Sequence, residues 1–287
     1  MIRRINPMPT EFQGRATRFS SQTLLFLFSL FNLCSGSKPL LVYEINLDLP
    51  PEERFAGLFK LNPDFNTTVW QFYNESFRDN APLTNLLYGI SKERGPENDE
   101  QQAEIESLAS MSGLPLPFVA SIQMLYELQT VMVPIVNVTK PGDSPTKYAF
   151  PPGYEALETL PWRQSAGCTG IIATTADGSV SHARNLDFAP EHIMMNLVYD
   201  ARFTRGGQEL FRSQMVAGYT MIVTAASMVE DGYAIERNTR FIDHPGGFQT
   251  TMENLVSGVQ LNGWTLRKIL ESEATYDAAI NAVSKAQ

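Results

Sequence analysis

Three residues of this chain have side chains that together suit nucleophilic attack on a carbonyl carbon: Cys168, Arg184 and Asp187. A thiolate is a strong nucleophile near neutral pH. An arginine beside it favours the thiolate and a developing oxyanion, and an aspartate can orient a nearby cation. The alternatives are an inert buried thiol and a surface ion pair between Arg184 and Asp187. We therefore treat Cys168 as a candidate nucleophile.

A β-hairpin is the element that must bring these side chains together. The strands are predicted over 171–174 and 180–186, around an Asp-Gly turn at 176–179. In antiparallel pairing, the start of one strand lies beside the end of the other. We therefore expect the side chain of Cys168 to meet those of both Arg184 and Asp187.

The position of Cys168 after a loop also permits self-cleavage. The thiol can attack the carbonyl of Gly167, and hydrolysis of the thioester would leave Cys168 as a new N-terminus. Its α-amine, with a reference pKa of about 7.7 to 8.0, would then act as the base for its own thiol. Asp187 would hold the resulting ammonium, and Arg184 would keep the site electropositive.

Residues 1–37 have the layout of a secretory signal peptide. Arginines precede the apolar run 24–33, which is shorter than the roughly 20 residues of a membrane-spanning helix. We expect a soluble mature protein that is lysosomal or secreted. Three glycosylation sequons fit this route. They begin at Asn66, Asn74 and Asn137.

The charge balance argues against nucleic-acid binding. The whole chain has a formal net charge of -9, and the leader carries four arginines against one glutamate, so the mature chain is more acidic still. Nucleic-acid partners need a basic patch, whereas an acidic surface suits an acidic compartment. The scattered histidines and single mature cysteine lack metal-ligand spacing, and we expect neither a metal nor another cofactor.

Residues 38–167 read as a mainly helical region after a short extended start at 40–49. One helix is predicted over 100–111 behind a cap at Asn98, and a second over 118–131. The apolar face of the second helix has two open interpretations, core packing or the wall of a lipid-binding cleft. A Pro/Gly-rich loop over 132–167 ends the region.

Residues 168–287 read as strands followed by helices. After the Cys168 hairpin we expect a second hairpin, then two apolar strands, then three helices. The second hairpin is predicted over 196–204 and 209–216, the strands over 219–225 and 232–241, and the helices over 251–259, 265–272 and 276–286.

Two sequence motifs, in this order, resemble a known enzyme family. Tyr43 to Phe55 resembles the opening of its α-subunit, and Cys-Thr-x-Ile followed by His-x-Arg-Asn-x-Asp-Phe, from Cys168 to Phe188, resembles the start of its β-subunit. Between them, Tyr126-Glu127-Leu128 looks like the helix before the cleavage site. The family is that of acid ceramidase and N-acylethanolamine-hydrolysing acid amidase, among the choloylglycine-hydrolase-like Ntn hydrolases.

This resemblance implies an α+β fold, an αββα sandwich preceded by a helical α-subunit. It implies self-cleavage between Gly167 and Cys168 into α and β fragments, with Cys168, Arg184 and Asp187 as catalytic residues. The implied substrate is a fatty acyl amide, either ceramide or an N-acylethanolamine, which is hydrolysed in the lysosome. Association with lipid or a membrane surface would follow from such a substrate.

This sequence departs from the family in three places. About 35 extra residues separate the Tyr-Glu-Leu segment from Cys168. Thr239 stands where the family has an acidic residue, and Glu236 is the nearby carboxylate that could replace it. The chain ends at Gln287, before the strands and the oxyanion-hole asparagine of the family, so we expect an incomplete sandwich with no residue to assign to that role.

Three alternatives remain open from the sequence. One keeps the fold and nucleophile but acts on another acyl amide, such as a penicillin V or bile-salt conjugate. Another is a papain-like hydrolase that pairs the thiol with His182 or His244. The last is a truncated lipid-binding homologue that does not turn over.

Overall fold

The computed structural model describes most of the chain between residues 39 and 285. The described residues are 39–94, 96, 98–126, 166–174, 176, 180–188, 190–229, 232–238 and 262–285. Outside them lie the leader, most of the Pro/Gly-rich loop, most of the Asp-Gly turn and the helix expected over 251–259. The named residues outside them are Glu127, Leu128, Asn137, Thr239, His244 and Gln287.

Five α-helices with both ends among the described residues precede the loop, and three follow it. They are α1 Leu58–Leu61, α2 Pro63–Ser76, α3 Ala81–Arg94, α4 Asp99–Ser112, α5 Leu116–Ile122, α6 Glu191–Met194, α7 Asn262–Ser272 and α8 Tyr276–Lys285. Asn98 caps α4 by accepting the backbone N–H of Gln101 at 2.9 Å. Gly113, with φ of 71°, ends the same helix. The helix predicted behind Asn98 is confirmed, as are those predicted over 265–272 and 276–286.

Seven strands, among the residues that the structure describes, form two separate sheets. They are β1 Val42–Asn46, β2 Ala166–Thr174, β3 Val180–Phe188, β4 Val198–Arg205, β5 Gln208–Val216, β6 Thr224–Ser227 and β7 Ala234–Glu236. The larger sheet has the order β1-β4-β5-β6-β7, with β1 parallel to β4 and the other pairs antiparallel. Strands β2 and β3 form an antiparallel ribbon of their own. The α+β class expected from the sequence is confirmed.

Both predicted hairpins are present. Strands β4 and β5 turn at Gly206 and Gly207, whose φ angles of 58° and 72° lie in the left-handed region that glycine adopts readily. In the ribbon, Cys168 pairs with Leu186 and Gly170 with Arg184. The register therefore brings the head of β2 beside the end of β3, as expected.

The strand predicted over 219–225 is wrong for its first five residues. Two of their backbone N–H groups bond to a side chain and to the first turn of helix α7 rather than to a neighbouring strand. The N–H of Thr220 donates to the side-chain oxygen of Gln123, and the N–H of Ile222 donates to the carbonyl of Gly263. An apolar segment with strand-like residues can also be buried in a loop when its backbone groups find such partners. The hydrogen-bonded strand therefore begins only at Thr224.

The apolar face of the predicted 118–131 helix packs into the protein core. The ring of Phe118 is fully buried, and its centroid lies 5.8 Å from that of Phe72 and 5.0 Å from that of Phe77. Both contacts are edge-on, the favoured geometry of aromatic pairs. Ile122 and Leu125 are buried beside them. The core-packing interpretation is therefore confirmed for this part of the face.

A buried ionic cluster joins the helical first half to the last helices. Glu104 of α4 is fully buried, and its carboxylate accepts hydrogen bonds from Arg54 at 3.0 Å and from Arg267 of α7 at 2.7 Å. Arg54 also donates to the carbonyls of Leu47 and Leu49. Because each charge meets an opposite charge or a carbonyl, the cluster can lie in the core.

No helix within the described residues is long and apolar enough to span a membrane.

A candidate thiol site

The thiol of Cys168 lies where β2 meets Tyr126, the last described residue before the loop. Its Sγ is 3.4 Å from the phenol oxygen of Tyr126 and 3.4 Å from Nη2 of Arg184. Cys168 is half-buried and packs against the core. The guanidinium therefore places a positive charge beside the sulfur.

Arg184 is held in place by bonds to several elements. Nη1 donates to the carbonyl of Val223 at 2.8 Å and to the hydroxyl of Thr224. Nη2 donates to the phenol of Tyr126 at 2.7 Å and to the carbonyl of Arg237. The planar fork of arginine can satisfy these acceptors at once, which a lysine ammonium cannot do in the same geometry. The cation beside the thiol is therefore fixed in orientation.

Tyr126 lies between two guanidinium groups. The guanidinium carbon of Arg237 is 4.3 Å from the centroid of its ring, and that of Arg184 is 5.7 Å away. Such contacts are stabilised by the negative face of the aromatic ring. Burial lowers the pKa of Arg237 to about 10, which still leaves it charged at physiological pH. The surroundings of the thiol are consequently electropositive.

The other hydrogen bonds of the Tyr126 hydroxyl indicate which atom is the donor in its contact with Sγ of Cys168. Its single proton goes to the carbonyl of Arg237, and one lone pair accepts from Arg184. The remaining lone pair faces Sγ of Cys168, so the thiol proton is the donor in that contact. Loss of the thiol proton would leave this contact without a hydrogen, unless the hydroxyl turned its own proton towards sulfur.

The structure does not bring Asp187 to the thiol. Its exposed carboxylate accepts from the side chain of Asn185 at 2.7 Å, on the face of the ribbon opposite to that of Arg184. The reason is the period of two in a strand, because residues three apart point to opposite faces. The expectation that three side chains meet therefore holds for Cys168 and Arg184 and is wrong for Asp187. Its backbone does pair with Gly167, at the predicted cleavage point.

Glu236 reaches the same face of the ribbon from the end of β7. Its buried carboxylate lies 2.8 Å from Nε2 of His182 and accepts from Asn238 at 2.8 Å. Glu236, the carboxylate considered as a replacement for an acidic residue at position 239, thus lies close to the site, and His182 is one of its partners. His182 is four register positions from Leu186, the partner of Cys168, or roughly 13 Å along the strand. It cannot act as the base for that thiol, and the papain-like alternative is wrong for His182.

Two of the three sequon asparagines lie on helix α2. The side chain of Asn74 is exposed, whereas Asn66 is half-buried and its Oδ1 has no partner among the described residues. A glycan needs an exposed asparagine, so Asn74 is the better acceptor of the two. In the part of the chain that the structure describes, no three acidic, histidine or cysteine side chains cluster to hold a metal.

Comparison with known proteins agrees with the two motifs. N-acylethanolamine-hydrolyzing acid amidase of Caenorhabditis elegans is 25% identical over 267 residues, which cover 92% of this chain and 65% of that protein. The mouse enzyme is 28% identical over 270 residues, covering 91% and 62%. The chain resembles these enzymes along most of its length. Acid ceramidase of Bos taurus is 22% identical over 268 residues, covering 86% of this chain and 58% of the ceramidase.

The resemblance predicted from the sequence is thus confirmed, and the chain spans less than two thirds of the length of each of these acid amidase and ceramidase relatives. No family model matches the sequence. Among solved structures, the Caenorhabditis elegans acid amidase ortholog aligns with a TM-score of 0.36 and 23% identity, over 40% of this chain and 48% of that chain.

The sequence assigned no individual role to Tyr126 and Arg237 in the site. Tyr126 entered only as part of the Tyr-Glu-Leu segment, and Arg237 not at all. They are 42 and 69 positions from Cys168, so no local spacing indicates the contact. The one available signal was the place of Tyr126 in the apolar segment predicted as a helix over 118–131, ahead of the Pro/Gly-rich loop.

Proposed function

We propose that this chain hydrolyses the amide bond of fatty acyl amides, with Cys168 as an N-terminal nucleophile exposed by self-cleavage. The observation that carries the proposal is the position of Sγ, 3.4 Å from both the Tyr126 phenol and the Arg184 guanidinium. The likeness to acid amidases and acid ceramidases supports an amide as the substrate. It also supports an Ntn-hydrolase fold.

Self-cleavage begins when the thiolate of Cys168 attacks the carbonyl carbon of Gly167. An S–C bond forms, the C–N bond of the peptide breaks, and the nitrogen takes up a proton to become an amine. Water then hydrolyses the thioester, which releases the thiol and leaves a carboxylate on Gly167. Arg184, as the nearby cation, stabilises the oxyanion that develops on the carbonyl oxygen.

Turnover uses the amine that cleavage creates. The α-amine removes the thiol proton, the thiolate attacks the acyl amide, and the ammonium returns the proton to the leaving amine. Water then hydrolyses the acyl thioester to a fatty acid. Asp187 suits the role of holding the ammonium once the chain is cut, since β3 places its backbone opposite Gly167, one residue before that nitrogen.

The sequence supports a compartment for this protein, and its relatives support a choice of substrates. The leader-like residues 1–37 and the sequons favour the secretory route, and we assign the protein to lysosomes or to the extracellular space. Ceramide and N-acylethanolamines are the substrates to test, because relatives of both names match the chain. Such substrates lie in membranes, so transient contact with a lipid surface is part of the proposal.

The test is the N-terminal sequence and mass of the full chain after incubation at acidic pH. We expect a new terminus at Cys168 in the wild type and an uncut chain in Cys168→Ala. Cys34→Ala is the matched control, because it removes the other cysteine of the sequence and leaves the site intact. Release of fatty acid from ceramide and from an N-acylethanolamine is then measured for the cut protein.

Two results would contradict the proposal. A wild-type chain that stays uncut at acidic pH would argue against an N-terminal nucleophile. A cut chain that binds acyl amides without releasing fatty acid would favour the lipid-binding alternative over the amidase.

A further inference from the structure

Glu236 is a buried carboxylate that touches both strands of the ribbon. On β3 it meets His182, with 2.8 Å between Oε2 and Nε2. On β2 it lies directly against Gly170, because a β-carbon built on that residue would be 1.8 Å from Oε1. Asn238 holds Oε1 from the other side at 2.8 Å. The carboxylate therefore occupies the space that a side chain at Gly170 would fill.

The contact lies on the reactive face of the ribbon. Cys168 and Gly170 are two positions apart in β2, so they present the same face, and Arg184 opposite Gly170 shares it. Any displacement of β2 at Gly170 must also move Cys168 relative to Tyr126 and Arg184.

Side chains join this ribbon to the rest of the described structure, since its strands form a sheet of their own. A two-stranded ribbon is marginally stable by itself. Among the described residues, its side-chain attachments include Arg184, which bonds to Thr224 of β6 and to the carbonyl of Arg237, Cys168, which contacts Tyr126, and Glu236 at the end of β7. The position of the thiol therefore depends on these attachments, of which Arg184 and Tyr126 are already part of the site.

We propose that Glu236 is a positioning residue, which fixes the strand of Cys168 by packing on Gly170 and bonding to His182. The inference rests on the proposed function for its effect on rate, but its structural part does not. It assigns Glu236 a role through size and hydrogen bonding. Glutamine has nearly the same shape, and its amide can donate to a neutral His182 while its oxygen accepts from Asn238.

The experiment compares four variants of the full chain: Glu236→Ala, Glu236→Gln, Gly170→Ala and the double variant Gly170→Ala/Glu236→Ala. Glu75→Ala is the matched control, because Glu75 also pairs with a histidine, His192, at 3.2 Å but on the surface. Hydrogen–deuterium exchange of 166–174 and 180–188 reports on the ribbon without any need for turnover. The rate of cleavage at Cys168 reports on the thiol, and melting temperatures are measured in parallel.

We expect ribbon exchange at least tenfold faster, and cleavage at least tenfold slower, in Glu236→Ala and in Gly170→Ala. The added methyl group should expel the carboxylate and so remove the same contact from the other side. The double variant should therefore be no worse than either single one, whereas independent defects would multiply to about a hundredfold. Glu236→Gln should stay near the wild type, and Glu75→Ala should change neither readout.

Three results would overturn the inference: exchange in Glu236→Ala equal to that in Glu75→Ala, defects that multiply in the double variant, or a Glu236→Gln variant as impaired as Glu236→Ala. The last result would mean that the negative charge of the carboxylate, and not its size, positions the strand. If Glu236→Ala fails to fold, the inference is tested by comparing hydrogen–deuterium exchange of the ribbon in Gly170→Ala with that in Glu236→Gln. A wild-type chain that does not cleave itself would count against the proposed function and leave the exchange comparison valid.

Discussion

The phenol oxygen of Tyr126 lies 3.4 Å from Sγ of Cys168, although 41 residues separate them in the chain. Tyr126 ends the described part of the helical half, and Cys168 lies near the start of the ribbon. This contact places a hydroxyl from one side of the predicted cleavage point against the nucleophile on the other. Each proposed fragment thus contributes to the site.

Tyr126→Phe should slow cleavage at Cys168 and acyl amide hydrolysis by about tenfold to a hundredfold. A hydrogen bond to a charged group contributes about 1.5–3 kcal/mol, and the phenol is the group able to turn its proton towards the thiolate. The measurement is the rate constant of each step at fixed pH.

Tyr73→Phe is the control for this change. Tyr73 loses the same hydroxyl, and its ring packs 5.1 Å from that of Phe118, away from the thiol. Equal rates in the wild type and in Tyr126→Phe would exclude the hydroxyl from the chemistry.

Arg184→Lys should lower both rates at least a hundredfold, despite keeping the positive charge. The guanidinium donates through two nitrogens to four oxygen acceptors on Tyr126, Val223, Thr224 and Arg237, and an ammonium cannot reach them all while staying beside sulfur. Arg202→Lys is the matched control, because Arg202 forms a half-exposed ion pair in the larger sheet, 2.9 Å from Glu209. A variant with wild-type rates would show that charge alone suffices.

Glu104→Gln should lower the free energy of unfolding by about 3–5 kcal/mol, because it leaves Arg54 and Arg267 without the buried opposite charge they share. Chemical denaturation measures the change. Glu100→Gln is the control, since Glu100 contacts the same Arg54 at 2.9 Å from an exposed position and should contribute little. Equal losses in the two variants would contradict a special role for burial.

Glu209 should stabilise the fold at neutral pH and lose this effect in acid. Partial burial raises the pKa of its carboxyl, but bonding and charge from Arg212 and Arg202 outweigh that effect, so the net pKa is lower than usual. Its contribution is then fully present above the pKa of the unfolded chain, about 4.3, and declines as the pH falls through the folded pKa.

The corresponding variant is Glu209→Gln, with thermal melting followed from pH 7 to pH 3. We expect a midpoint about 1–3 °C below the wild type at pH 7 and a difference that disappears towards pH 3. Glu53→Gln, at an exposed position, is the control. A pH-independent difference would mean that packing, and not the charge, is responsible.

Local sequence patterns were sufficient for most of the secondary structure. The cap at Asn98, the glycines at 206 and 207 and the alternation along β4 and β5 each act over a few residues, so their consequences can be read from the sequence. The same patterns failed at 219–223, where Gln123 supplies the partner that a neighbouring strand would otherwise provide. That partner is 97 positions from Thr220, beyond the reach of any local pattern.

For the site, the sequence by itself indicated which thiol is the candidate nucleophile and which ribbon carries it. It also indicated that the pairing of the two strands brings Arg184 within reach of that thiol. The expectation for Asp187 overlooked the period of two, which turns its side chain away from that of Arg184 because the two residues are three positions apart. Only the tertiary structure decided that Tyr126 covers the thiol, that Arg237 stacks behind it and that Glu236 packs on Gly170. Those contacts join residues 42 to 111 positions apart, and packing between separate elements brings them together.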